Sequence, residues 1–138
     1  MAKYKIVISD YYYPDIHEEL EEFRRLGDDV EVVDCTKIRP GGIKDPTELL
    51  TYAHDCDALI TQFAAPIDAA FMDGLEKCRV IARYAIGLDT VDLAAAKKRG
   101  IMVANCTDYC LDEVADSTAA HILNAARRIS VSRDRLMD

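Results

Sequence analysis

Residues 80–105 read Val80-Ile-Ala-Arg83-Tyr-Ala-Ile-Gly87-Leu-Asp89-Thr-Val-Asp92-Leu-Ala-Ala-Ala-Lys97-Lys-Arg-Gly100-Ile-Met-Val-Ala-Asn105. An apolar run, Val80 to Ala82, is followed by a polar turn with a glycine. A helical stretch then opens at Asp89 and runs to the cations Lys97, Lys98 and Arg99, which suit the negative end of a helix dipole. Gly100 stops it, and Ile101-Met-Val-Ala104 is a second apolar run. Two buried strands joined through a helix are parallel strands, because a parallel pair needs a long crossover where an antiparallel pair needs only a tight turn. The stretch therefore predicts a βαβ unit.

The same alternation extends toward the N-terminus. Tyr4-Lys-Ile-Val-Ile-Ser9 reads as a strand bounded by Asp10 and Pro14, and Val30-Glu-Val-Val33 and Ala58-Leu-Ile-Thr61 as two more. Ile16, Leu20, Phe23 and Leu26 recur at helical spacing before Gly27, while Cys35 to Lys44, with Pro40-Gly41-Gly42, reads as a loop. Asp45-Pro46-Thr47-Glu48 has the pattern of a helix start, with an acceptor at the cap, proline at the first turn and an acid three residues on. A short helix near Asp68 to Leu75 follows Pro66. The order βαβαβαβαβ, with near-continuous apolar strands, predicts a flavodoxin-like, doubly wound parallel sheet of five strands in the order 2-1-3-4-5, occupying residues 1–105.

Beyond Asn105 the rhythm breaks. Val114, Thr118, Ile122, Ala125 and Ile129 mark one stripe of a long helix with Asp112, Glu113 and Asp116 at its start and Arg127 and Arg128 near its end. Residues 106–138 are thus read as a linker and a helix longer than this sheet needs for cover.

Composition narrows the function. The chain has 138 residues, 50% hydrophobic and 30% charged, which excludes disorder. The formal charge is −8, and residues 1–34 hold 10 acids against 4 bases, so a nucleic-acid binder with a broad basic face is excluded as an expectation. No leading apolar segment or bilayer-length run is present, and the five cysteines (Cys35, Cys56, Cys78, Cys106, Cys110) form no metal-binding pattern, so a cytoplasmic protein with reduced thiols is expected.

Ligands of open α/β sheets bind beyond the carboxyl ends of strands where the strand order reverses. That places the candidate site at Asp10-Tyr11-Tyr12-Tyr13, Gln62-Phe63-Ala64-Ala65 and Arg83-Tyr84-Ala85-Ile86-Gly87. Arg83 is the candidate partner for a carboxylate or phosphate, with a surface ion pair as the competing reading. The backbone N–H groups of Ala85 to Gly87 are a second candidate anion site. His17, His54 and His121 fall outside this crevice, no nucleophile–base arrangement is legible, and neither a Gly-x-Gly-x-x-Gly nor a Walker loop occurs.

Residues 79–129 resemble the D-isomer-specific 2-hydroxyacid dehydrogenases, especially their phosphoglycerate dehydrogenase and C-terminal-binding-protein branches. The matching series is Gly87-Leu-Asp89-Thr-Val-Asp92, Ala94-Ala95, Gly100-Ile-Met-Val-Ala-Asn105, Glu113-Val-Ala-Asp116 and the helix ending in Arg127-Arg128. The resemblance implies a substrate-binding (catalytic) domain in which the amides matching Ala85, Ile86 and Gly87 hold the substrate carboxylate. It also implies that Ile86 lies against the nicotinamide of NAD or NADP, that Gln62 and Phe63 flank the substrate, and that residues 106–138 are a linker and the first helix of the nucleotide-binding domain, forming a homodimer over 112–130. Arg83 and Tyr84 join the substrate-binding set by their crevice position. Ile86 stands where the family often has Ser or Thr, Thr90 where it has Asn, and Thr107 where it has Pro. The family's dinucleotide fingerprint and catalytic Arg, Glu and His have no counterpart within these residues. The expectation is therefore the N-terminal portion of an NAD(P)-dependent dehydrogenase for a small 2-hydroxy or 2-keto acid, inactive alone for want of its nucleotide-binding domain. No catalytic residue and no metal are expected in this chain, nor a nucleic-acid or membrane partner. Two non-enzymatic readings compete. A receiver-type regulatory module would need an acidic pair after strand one and an Asp after strand three, where Asp10 stands alone and Thr61-Gln62 is found. A dimerisation module would need only the last helix.

Overall fold

The computed structural model describes residues 4–27, 29–63 and 65–137, so Ala64 of the predicted ligand-facing loop lies outside the described residues. Five strands are found: β1 (Tyr4–Ile8), β2 (Val30–Asp34), β3 (Ala58–Thr61), β4 (Val80–Arg83) and β5 (Met102–Asn105). They form one sheet in the order β2-β1-β3-β4-β5, every pair parallel, as the crossover argument requires. The registers Ile8↔Ile60 and Thr61↔Arg83 align the carboxyl ends of the three central strands, so the segments that follow them emerge side by side.

Alternation of side chains across the pleat splits the apolar residues between two cores. Val7, Leu59 and Ile81 point to one face, where they meet Leu49 and Ala53 of α3 (Pro46–Ala53), Phe71 and Met72 of α4 (Ala69–Asp73), and Ala95 and Ala96 of α5 (Leu93–Arg99). Ile6, Ile8 and Ile60 point to the other, against Ile16, Leu20 and Phe23 from α1 (His17–Arg24) and the turn before it. Strands apolar on both faces are the mark of a sheet covered on both sides.

Helix starts follow local chemistry. Asp45, Asp68 and Asp92 accept from the backbone N–H of Glu48, Phe71 and Ala95, satisfying donors that the first turn leaves free. The sequence pattern placed the start of α5 at Asp89. The helix begins instead after Asp92, which caps it, and Asp89 is used elsewhere. Gly100 closes α5 in the left-handed conformation. Leu26, predicted on the buried stripe of α1, is exposed because the helix ends at Arg24, and the loop expected from Cys35 to Lys44 contains the short α2 (Cys35–Ile38).

The chain divides into two compact units, Met1–Thr107 and Asp108–Asp138. The second contains α6 (Leu111–Arg127) and α7 (Ile129–Met137). The single helix expected over 112–130 is therefore broken. Arg128 adopts φ 52°, and Asn124 Oδ1 accepts from the backbone N–H and hydroxyl of Ser130, so a side chain takes the place of the helical ladder. Ile129, counted on the apolar stripe, belongs to the next helix. No helix among the described residues is long and apolar enough to cross a membrane.

The turn at 41–42 shows how tightly the end of β1 is enclosed. Both glycines have positive φ, but a Cβ on Gly41 meets open space, whereas one on Gly42 comes to 2.3 Å from the Ser9 carbonyl oxygen and 2.6 Å from Asp10 Cβ. Gly41→Ala is expected to lose about 1–2 kcal/mol to left-handed strain alone. Gly42→Ala adds a clash with immobile backbone and is expected to lose about 3 kcal/mol or more. Urea unfolding of the two variants checks the order, and equal losses would remove the claimed contact.

Candidate functional site

Three segments leave the carboxyl ends of β1, β3 and β4, and two buried charges tie them together. Asp10, immediately after β1, is fully buried. Its Oδ1 accepts from the backbone N–H of Gln62 (2.9 Å), from Ser9 Oγ (2.6 Å) and from Thr61 Oγ1 (3.3 Å), and its Oδ2 accepts from the N–H of Phe63 (2.6 Å). Four donors on one carboxylate meet the high demand of a desolvated anion. Gln62 Oε1 in turn accepts from the N–H of Tyr12 at 2.9 Å, so the segments after β1 and β3 are fixed to each other.

Arg83, the last residue of β4, is the second charge. Its side chain is 1% exposed. Nε and Nη2 donate to the Gln62 carbonyl (3.2 and 2.9 Å), and Nη1 donates to the Gly87 carbonyl (2.7 Å) and to Asp89 Oδ1 (3.2 Å). Four of the five guanidinium donors are thus used by the chain itself. The guanidinium, the candidate partner for a carboxylate or phosphate, bridges the loops at 62 and 87 and pairs with the exposed Asp89 carboxylate, and it lies 5.9 Å from the ring centre of Phe63. The exposed Asp89 carboxyl is held below the usual range by its own backbone N–H and then by Arg83.

The turn at 85–87 has an unusual division of its backbone polar groups. All three carbonyls are taken: Ala85 accepts from the N–H of Cys106 (3.1 Å), Ile86 from Asn105 Nδ2 (2.6 Å) and Gly87 from Arg83 (2.7 Å). Among the described residues, none of the three N–H groups has a protein acceptor. Ala85 is 7% exposed and Ile86 41% exposed, so the row of free donors runs from the interior to the surface. Unpaired backbone N–H groups beside a buried segment require an outside acceptor, and consecutive ones form a concavity suited to an anion. The segment after 87 is pinned by an isolated bridge between Ile67 and Val91.

Of the predicted site residues, Gln62 and Phe63 stand beside the 85–87 turn, linked to it through Arg83. Gln62 is buried, while the Phe63 ring is exposed. Tyr84 packs edge-on against Tyr13 with ring centres 5.4 Å apart, and burial, then nearby Glu19, raises its hydroxyl pKa. His17, His54 and His121 are all exposed. Asp10 was placed at the crevice by its position after β1 but without a role, and Asp89 was missed as a contributor, hidden by its likeness to a helix cap.

Comparison with known proteins places the fold in a family. The family description "D-isomer specific 2-hydroxyacid dehydrogenase, catalytic domain" matches residues 6–132. A glyoxylate reductase of Korarchaeum cryptofilum is 42% identical over 81 residues, covering 59% of this chain and 24% of that enzyme. A D-3-phosphoglycerate dehydrogenase of Mycobacterium leprae is 35% identical over 105 residues, covering 76% of this chain and 19% of that enzyme. The chain thus spans about a quarter of the length of the curated relatives it matches. Among solved structures, the TT0316 protein of Thermus thermophilus superposes with a TM-score of 0.74 at 30% identity, covering 97% of this chain and 40% of that one. D-lactate dehydrogenase of Aquifex aeolicus, complexed with NAD and lactic acid, shares the fold with a TM-score of 0.69 at 20% identity, over 96% of this chain and 37% of that one.

Arg83→Met leaves the Gln62 and Gly87 carbonyls without their donor and is expected to lose about 3 kcal/mol. Arg83→Lys should recover less than half of that, since one ammonium cannot span the positions of a planar fork. Chemical denaturation measures both, and full rescue by Lys would show that charge alone matters. A depressed carboxyl pKa stabilises the folded state above the unfolded value and loses that contribution as pH falls through the folded one. Asp89→Asn should therefore flatten the decline of stability on acidification below about pH 4. An unchanged acid limb in a pH series of thermal melts would remove Asp89 from the network.

Proposed function

Because the chain belongs to the D-isomer specific 2-hydroxyacid dehydrogenase family, we propose that it is the substrate-binding portion of an NAD(P)-dependent oxidoreductase that interconverts a 2-hydroxy acid and its 2-oxo acid. The observation that carries this reading is the turn at 85–87, where three consecutive carbonyls are consumed by the protein and three consecutive N–H groups are not. A substrate carboxylate is the acceptor such a row fits, and it would be oriented there at no further cost in loop ordering.

Arg83 and Asn105 are the positioning residues. By holding the carbonyls of 86 and 87 they turn the peptide planes so that the N–H groups face away from the chain's own acceptors. Ile86 is apolar and exposed beside this row, which suits contact with a flat aromatic ring such as nicotinamide. A bound nicotinamide supplies or accepts hydride at substrate C2. The base that takes the hydroxyl proton is assigned to a second lobe, since none of the three histidines stands at the crevice. The exposed apolar residues of α6, among them Val114 and Ile122, are assigned to a homodimer interface, and the five unpaired thiols suit a reducing cytoplasm.

An amide-resolved NMR titration with pyruvate is expected to shift Ala85, Ile86 and Gly87, and pyruvamide, which lacks the carboxylate, is expected to leave them in place. Equal responses would remove the cradle. The 138-residue chain alone is expected to show no NADH- or NADPH-dependent reduction of pyruvate or glyoxylate, and measurable turnover would overturn the assignment of the chemistry to a second lobe. Ile122→Asp should convert a dimer to a monomer by light scattering, whereas a monomeric parent chain would dispose of the interface.

A further inference from the structure

The walls of the same crevice carry a second message, about the part of the substrate that is not its carboxylate. Beside the 85–87 turn stand two aromatic side chains that the fold holds out of its own core. Tyr12 is 61% and Phe63 58% exposed, with ring centres 6.3 Å apart and planes inclined at 45°. Their backbones are not loose: the Tyr12 N–H is held by Gln62 Oε1 and the Phe63 N–H by the buried Asp10 carboxylate. Two large apolar surfaces kept in water on a rigid, fully bonded mount are what a binding wall requires, because the entropy of ordering them has already been spent in folding.

The charges point the same way. Apart from Arg83, the segments 10–13, 62–65 and 83–89 contain no lysine or arginine. Arg83 is sealed and engaged, while the Asp89 side chain is 80% exposed close to the turn. A substrate with a phosphate or a second carboxylate would meet the exposed Asp89 carboxylate, while Arg83, the one cation of these segments, is already engaged by Asp89 and two carbonyls. A substrate with no side chain would leave both rings wet.

Resting on the carboxylate cradle proposed above, we infer that this site selects 2-oxo acids bearing an uncharged, apolar or aromatic side chain, with Tyr12 and Phe63 as the specificity-determining wall. This departs from the names of the two relatives reported above, glyoxylate reductase and D-3-phosphoglycerate dehydrogenase.

The test is an NMR titration of the 138-residue chain with phenylpyruvate, pyruvate and 3-phosphohydroxypyruvate, reading the amides of 85–87 and the rings of Tyr12 and Phe63. Phenylpyruvate is expected to bind about tenfold or more tightly than either competitor, the range that burial of an added apolar group confers. It is also expected to shift both rings. Phe63→Ala, a change at an exposed position, should bring the phenylpyruvate-to-pyruvate affinity ratio toward 1, and Tyr12→Ala should act in the same direction. If all three acids shift 85–87 with equal affinity, or phosphohydroxypyruvate binds best, the side-chain inference fails and the cradle stands. If no acid moves 85–87, the cradle fails and the inference with it.

Discussion

The Arg83 guanidinium is a cation closed off from water, and such a group is tolerated only where oxygen atoms converge on it. In this fold those oxygens are the carbonyls of Gln62 and Gly87 and the carboxylate of Asp89. Satisfying the cation therefore dictates the path of two loops at once. Drawing the Gly87 carbonyl toward Arg83 fixes the orientation of the turn, whose N–H groups have no protein partner among the described residues. The candidate site is a consequence of solvating one buried charge from within the chain.

Asp10 plays the complementary part with the opposite sign. Arg83 collects carbonyl oxygens, and Asp10 collects N–H and O–H donors, so the backbone of Gln62 and Phe63 is gripped from both sides. Both are buried and spend most of their hydrogen-bonding capacity on the chain itself. Their effect is to hold unpaired N–H groups and exposed rings in one geometry before any ligand arrives, which is how a site gains affinity without gaining contacts. The apolar sheet beneath supplies the rigidity, since the parallel registers of β1, β3 and β4 bring the three loops to one edge.

Much of this was legible in advance. The five strands, their parallel order and the position of the crevice followed from apolar runs, helix caps and crossover lengths. The family resemblance rests on the ordered series over residues 79–129, and the family match over residues 6–132 bears it out. What misled was local similarity between roles. Asp89 looks like a cap because it precedes a helical pattern, yet Asp92 caps α5. The apolar stripe from 114 to 129 looks continuous, yet Asn124 and Arg128 break it. Arg83 reads as a ligand's partner or one half of a surface ion pair, and nothing in its neighbours along the chain reveals that its side chain is sealed against Gln62 and Gly87.

Sequence periodicity by itself determined the class of fold and where the loops would emerge, because burial on two faces and the reach of a crossover are properties of short windows of residues. Only the tertiary structure decided which side chains of the crevice are buried in the service of the fold and which stand exposed. That division depends on partners some twenty to fifty residues away, Gln62 for Arg83 and Gln62 and Phe63 for Asp10. The desolvation that makes those partners obligatory exists only once the sheet has closed over them.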